Sequence, residues 1–210
     1  MRGAAAGSRR PLPREFFARE TELVARAMLG TVLQCQTAAG RTAGRIVETE
    51  AYLGPTDAAS HAVVGLTDRT RHLFGPPGTS YVYFIYGVHW CFNAVSGRRN
   101  GGAAVLVRAL EPLEGLSLMR ARRWSGHESE KSLSRSDRQL TSGPGKLCEA
   151  LGIDGHYSGL SLQRLPLVLR RGREIPDADV AVSRRVGISR ATEGMLRFYV
   201  KGSEFVSRAR

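Results

Sequence analysis

The chain has 210 residues, a mass of 22.9 kDa, a formal net charge of +12 and a sequence pI near 10.6. That length suits one domain with a full core. The three cysteines, Cys35, Cys91 and Cys148, are odd in number, far apart and without a CxxC pair, which argues against a disulfide framework or a zinc site. No apolar stretch is long enough for a signal-peptide core or a membrane span. A soluble, non-secreted protein of a reducing compartment is expected, cytoplasmic or, in a eukaryote, nuclear. The positive excess is carried by arginine, with lysine only at 131, 146 and 201. Arginine suits bidentate phosphate contacts, so a polyanionic partner is the leading reading.

Residues 1–13 are small, basic and broken by proline, and read as a flexible arm before a single domain over 14–210. From 15 to 29, Phe16, Leu23, Val24, Ala27 and Met28 recur at helical spacing, with Gly30 as a C-terminal cap. Residues 31–37 and 41–52 read as two strands joined by a turn at 38–40. On the second strand, alternation puts Ile46, Glu48, Glu50 and Tyr52 on one face and Val47, Thr49 and Ala51 on the other. Two carboxylates on an otherwise apolar strand call for a partner or a task, because a buried ionised acid is costly unless paired.

Leu53-Gly54-Pro55 breaks this strand, a helical turn is expected at 57–61, and 65–71 forms a polar, basic loop. Six aromatic side chains fall between Tyr81 and Phe92, in two strands meeting at Gly87. Phe84, Trp90 and Phe92 read as packing, while Tyr83 and Tyr86 stand beside the turn, where a side chain reaches a pocket or solvent. Residues 103–109 form a buried strand with Arg108 at its mouth, facing the acidic strand. A helix is expected from Pro112 to about 123, and 125–138 is serine-rich, charged and flexible. Residues 142–147 lack the P-loop pattern, but Gly143, Gly145 and Lys146 stand at a helix start that favours an anion such as phosphate. Further strands are expected at 167–171, 181–188 and 196–201.

An acid, tyrosines, a histidine and an arginine on a basic chain fit a pocket for an extruded nucleotide base. Tyr52, Tyr83 and His61 would stack on the base, Tyr86 would fill the gap left in the duplex, and a glutamate would activate water. The same region also offers Glu48, Glu50, Asp57 and His61 as metal ligands of a nuclease, and a non-catalytic DNA-binding role stands beside both. Spacing alone does not decide among them.

The chain resembles the alkyladenine (methylpurine, 3-methyladenine) DNA glycosylase family. The likeness runs through RIVETEAYLGPTDAASH at 45–61, GTSYVYFIYGVHWCFN at 78–93, VLVRALEPLEG at 105–115, SGPGKLCEALGI at 142–153, RVGI at 185–188 and LRFYVKGS at 196–203. It implies an α+β fold, a single mixed domain with a curved, largely antiparallel sheet and flanking helices. It also implies a monofunctional glycosylase, monomeric and without cofactor or metal, that flips alkylated or deaminated purines out of double-stranded DNA and hydrolyses their N-glycosidic bond. Glu50 then matches the water-activating base, with Arg108 and the Val186 carbonyl as further contacts to that water. Tyr52, His61, Tyr83 and Asn93 match the base pocket, and Tyr86 the intercalating residue.

Overall fold

A 13-residue strand, β2 (Gly40–Tyr52), runs through the middle of the sheet. The computed structural model describes residues 10–124 and 137–207. β2 forms a hairpin with β1 (Val32–Thr37), and its other edge pairs with β5 (Ala103–Glu114). Beyond β5 lie β4 (His89–Ser96) and β3 (Ser80–Ile85); beyond β1 lie β7 (Leu167–Arg170) and β6 (Gln163–Arg164). β9 (Arg197–Val200) pairs with β8 (Val180–Ser183) and with residues 48–50 of β2, along the part of that edge which β1 does not reach. These pairings are all antiparallel, and the result is the expected single α+β domain built on a curved sheet.

The helices are α1 (Arg14–Phe17), α2 (Thr21–Met28), α3 (Leu116–Trp124), α4 (Arg138–Thr141) and α5 (Pro144–Leu151). Val24, Ala25 and Met28 of α2 join Phe92, Val105, Val107 and Leu110 in the main core, together with Leu147, Cys148 and Leu151 of α5. Burying each large apolar side chain of this set contributes about 1.5–3 kcal/mol. The Thr49 hydroxyl donates to the Ala25 carbonyl at 2.9 Å, which fixes one face of β2 against α2 and leaves Glu48 and Glu50 on the other.

Several elements depart from the sequence expectations, each for a local reason. The helix expected over 15–29 is two pieces, because the chain turns after Phe17, whose carbonyl accepts from the Gly97 N–H at 2.9 Å while its ring packs on Gly78. Pro112 lies inside β5 rather than starting a helix. It faces Gly44 where the β2 and β5 register slips, a place where a missing N–H is tolerated, and α3 begins only after Gly115. The turn expected at 57–61 is present as a single turn closed by the Ser60 N–H on the Asp57 carbonyl at 2.8 Å, and a 3-10 turn at His61–Val64 follows it. The strand expected over 181–188 ends at Ser183, and the following residues leave the sheet as a loop. A further irregularity between Ile46 and Glu48 breaks the alternation: Ile46 packs in the main core with Ala51, away from the two glutamates.

Of the expected arm, residues 1–9 fall outside the described part, whereas Pro11 bridges to Arg170 and Leu12 is buried in the core. The serine-rich segment falls outside it too, over 125–136. Among the described residues no helix is long and apolar enough to cross a membrane.

Candidate active site

Arg108 does not sit at a strand mouth. It is the extra residue where β5 slips against β2, between Ala109 opposite Glu48 and Val107 opposite Thr49. A bulge of this kind re-aims a side chain. Here it turns the guanidinium toward both glutamates, with Nε 3.0 Å from Glu48 Oε1 and Nη1 3.4 Å from Glu50 Oε1.

The two carboxylates are fully buried but differently satisfied. Glu48 accepts from Arg108 Nε, from Arg197 Nε at 2.7 Å, and from the Ser207 hydroxyl at 2.8 Å and N–H at 2.7 Å. Glu50 accepts from the Val186 N–H at 2.7 Å and the Tyr52 hydroxyl at 3.0 Å, and shares the edge of Arg108. Burial pushes the Glu50 carboxyl above the ordinary glutamate range, against the pull of Arg108, the Val186 N–H and the Tyr52 hydroxyl. Burial, with Glu50 beside it, pushes the Tyr52 hydroxyl far up, so the phenol stays neutral and donates.

Next to this pair opens a cavity of about 370 Å³, at the small end of the roughly 300–1,000 Å³ range of ligand pockets. Its walls come from three places: Ala58–His61 after β2, Tyr81, Tyr83 and Asn93 of the β3/β4 hairpin, and Gly187–Arg190 of the loop after β8. Tyr52 lines it as well. The His61 and Tyr83 rings meet edge to face with centroids 4.3 Å apart, and His61 Nδ1 lies 3.0 Å from the Tyr81 hydroxyl. Burial and the nearby Arg69 lower the His61 pKa, which keeps the imidazole neutral at pH 7. Asn93 is buried and its amide nitrogen donates to the Tyr81 carbonyl at 3.0 Å, across the strand pair that aligns the two residues.

One ion pair ties two of these walls together. Arg185 binds Asp57 through both terminal nitrogens, one of them at 2.9 Å, and also donates to the Ala51 carbonyl at 3.0 Å. Its guanidinium lies 4.7 Å from the centre of the Tyr52 ring. Burial opposes ionisation of Asp57, but the bonds from Arg185 and from the Leu53 and Ala59 N–H groups outweigh it, and its pKa falls below the ordinary aspartate range.

Tyr86 stands at the hairpin tip, 79% exposed, with φ of 54°, followed by Gly87 at 69°. Two successive positive φ values suit a tight hairpin turn and hold the tyrosine outward. Phe84, expected to be core, is instead exposed and packs at a tilt against the half-buried Trp90, with ring centres 4.7 Å apart, whereas Phe92 is buried as expected.

Glu50, Tyr52, Arg108 and Val186 thus form one bonded cluster, and Tyr52, His61, Tyr83 and Asn93 share one cavity. Gly143, Gly145 and Lys146 lie at the start of α5 and do not line it. A Cβ on Gly145 would come within 2.8 Å of the His89 ring, so that glycine serves the approach of α5 to β4. The metal-ligand set of the alternative reading does not converge, since Glu48 faces two arginines and Asp57 faces a third. Sequence reasoning missed Tyr81, Arg185, Arg197 and Ser207. Tyr81 was visible as the same-face neighbour of Tyr83, and Arg185 as the residue before Val186. Nothing local signals Arg197 and Ser207, which reach Glu48 only once β9 and the last described residues dock beside β2.

Comparison with known proteins gives a consistent result. The family described as Methylpurine-DNA glycosylase (MPG) matches residues 15–204. A protein of Methanoculleus marisnigri, provisionally named a 3-methyladenine DNA glycosylase, is 48% identical over 200 residues, covering 94% of this chain and 98% of its own. A protein of Agrobacterium fabrum with the same provisional name is 45% identical over 197 residues, covering 94% and 92%. The DNA-3-methyladenine glycosylase of Mus musculus is 48% identical over 201 residues, covering 92% of this chain and 60% of the mouse protein.

Proposed function

This chain belongs to the methylpurine-DNA glycosylase family and is a DNA glycosylase, and from that premise we propose that it extrudes alkylated or deaminated purines from duplex DNA and hydrolyses their N-glycosidic bond with water activated by Glu50. The observation that carries this reading is a buried, incompletely satisfied carboxylate bonded to Tyr52, which itself lines an aromatic cavity of about 370 Å³. Each carboxylate oxygen offers two lone pairs. Among the described residues Glu50 Oε2 accepts only from the Tyr52 hydroxyl, which leaves it a lone pair for a water molecule.

In the proposed step the base is held in the cavity between Tyr52 and the His61–Tyr83 pair, with Arg185 backing the far face of Tyr52. The water oxygen bonds to C1′ of the deoxyribose as the C1′–N bond breaks. The electrons of that bond pass to the purine, and the water proton passes to Glu50. The Val186 carbonyl and Arg108 hold the water beside the carboxylate. A purine methylated at N3 or N7 carries a positive charge that those electrons neutralise as the base departs, so the task is to position water and stabilise the cationic sugar. Neutral tyrosines present their π-faces to a cationic base, and a neutral His61 adds no opposing charge. Asn93, fixed by its bond to the Tyr81 carbonyl, crowds the exocyclic amine of normal guanine. Tyr86 enters the stack in place of the extruded nucleotide, and the basic surface neutralises phosphates, so affinity falls steeply with salt.

The test is release of free base from duplexes carrying 3-methyladenine or hypoxanthine, in EDTA. Release is expected from the alkylated duplex. No release from any alkylated or deaminated purine would sink the proposal.

A further inference from the structure

Glu48 has no place in the hydrolysis above, yet its carboxylate is fully bonded. Four donors from three separate parts of the chain converge on it: Arg108 of β5, Arg197 of β9, and both the N–H and the hydroxyl of Ser207. The two arginines are themselves held by the same segment, with Arg108 Nη2 3.4 Å from the Ser207 hydroxyl and Arg197 Nη2 3.3 Å from the Ser207 carbonyl. Arg197 also reaches the Ser183 hydroxyl at 3.2 Å. Stability alone is a poor reason for such an arrangement, since a buried ion pair is often replaced by apolar residues at no loss. Geometry supplies a better one. Glu48 takes the Nε of Arg108, and the terminal Nη1 is thereby left pointing at Glu50 and at the Val186 carbonyl, 3.5 Å away.

We propose that Glu48 is a positioning residue for the reaction: clamped by Arg197 and Ser207, it fixes Arg108 in its bulge and neutralises it, so that Glu50 receives one guanidinium edge without losing its basicity. The inference rests on the function proposed above. The cluster balances two arginines, 108 and 197, against two glutamates, 48 and 50. Without Glu48, Arg108 would have Glu50 as its remaining carboxylate and would pair with it as a full counter-ion, making it a poorer base. Without the charge of Arg197, Glu48 would draw harder on Arg108 and leave Glu50 more isolated, hence harder to ionise. The other groups facing Glu50 are the Tyr52 hydroxyl on β2 and the Val186 N–H, with Arg185 behind Tyr52. None of them is altered by substituting Glu48 or Arg197.

The experiment is single-turnover purine release from methylated duplex DNA across a pH series, for the wild type, Glu48→Gln, Arg197→Gln and Arg197→Lys, with duplex affinity measured alongside. Glu48→Gln should move the acid limb of the rate profile to lower pH and reduce the plateau about 10- to 100-fold, with affinity unchanged. Arg197→Gln should move the limb to higher pH, and Arg197→Lys, which keeps the charge, should return it toward the wild type. A merely structural role moves neither limb, and a general loosening of the site moves both the same way; either result overturns the proposal. If Glu48→Gln does not fold, the two Arg197 variants decide alone, an unmoved limb in both being the refutation. Absence of release by the wild type would instead remove the proposed function itself.

Discussion

Glu48 and Glu50 lie two residues apart on one strand, both fully buried and both within reach of Arg108, yet they are bonded very differently. Glu48 meets two guanidinium groups and two further donors. Glu50 meets one N–H, one phenol and a shared edge of one guanidinium, and its carboxyl is pushed upward by burial. The difference lies in what the rest of the fold brings to each position: β9 and Ser207 close around the first, while the second bonds to Tyr52, which lines the cavity. A carboxylate with its donors saturated is a strut, and one left short of donors keeps lone pairs for a further donor.

The comparison is sharpened most by Glu50→Gln. Loss of a general base predicts base release about 10²–10⁴-fold slower under single-turnover conditions, with binding of lesion DNA retained. A variant with full activity would transfer the role to Glu48. The same substitution carries a stability signature of opposite sign. Because the folded pKa of Glu50 is raised, its contribution to stability is greatest below the ordinary glutamate pKa and is lost as pH rises through the folded value. Glu50→Gln should therefore melt higher than the wild type at neutral pH and alike in acid, a pattern that thermal unfolding at two pH values checks.

Glu48→Ala tests the other half. Removing one partner of a buried ion cluster leaves two arginines uncompensated and should cost about 3–5 kcal/mol in denaturant unfolding. An unchanged midpoint would show that the cluster is not a strut. Tyr86→Ser should leave the fold intact and weaken retention of the extruded lesion; unaltered lesion binding and extrusion would remove it as the wedge. The smallest expected effect belongs to Asp57→Asn. The folded pKa of Asp57 is lowered, so its stabilisation is present above the ordinary aspartate pKa and is lost as pH falls through the folded value. The variant should melt lower than the wild type at neutral pH, and the gap should close on acidification.

What the sequence made legible was local. Alternation along β2 put Glu48, Glu50 and Tyr52 together, and the aromatic run predicted the hairpin with Tyr86 at its tip. Where registers slip, alternation loses its meaning: Ile46 parts from the glutamates, and Arg108 leaves the strand mouth for a bulge inside β5. Hydrophobic pattern cannot reveal a bulge, because the extra residue is defined by its partner strand. Proline was misread for a related reason. Pro112 looks like a helix start in isolation, and only its place opposite Gly44 makes it tolerable in a strand. The bonds to Glu48 from Arg197 and Ser207 depend on elements about 150 residues apart in sequence, beyond any local signal.

That separation has a consequence for the timing of synthesis. Ser207 lies 159 residues after Glu48, so the shell that makes Glu48 a strut cannot close until nearly all of the described chain has been made. A nascent chain holding β1 to β5 already contains Glu48, Glu50 and Arg108, but neither Arg197 nor Ser207. Contacts of such long reach form slowly and late. The difference in bonding between the two glutamates is therefore completed only by the docking of β9 and the residues that follow it.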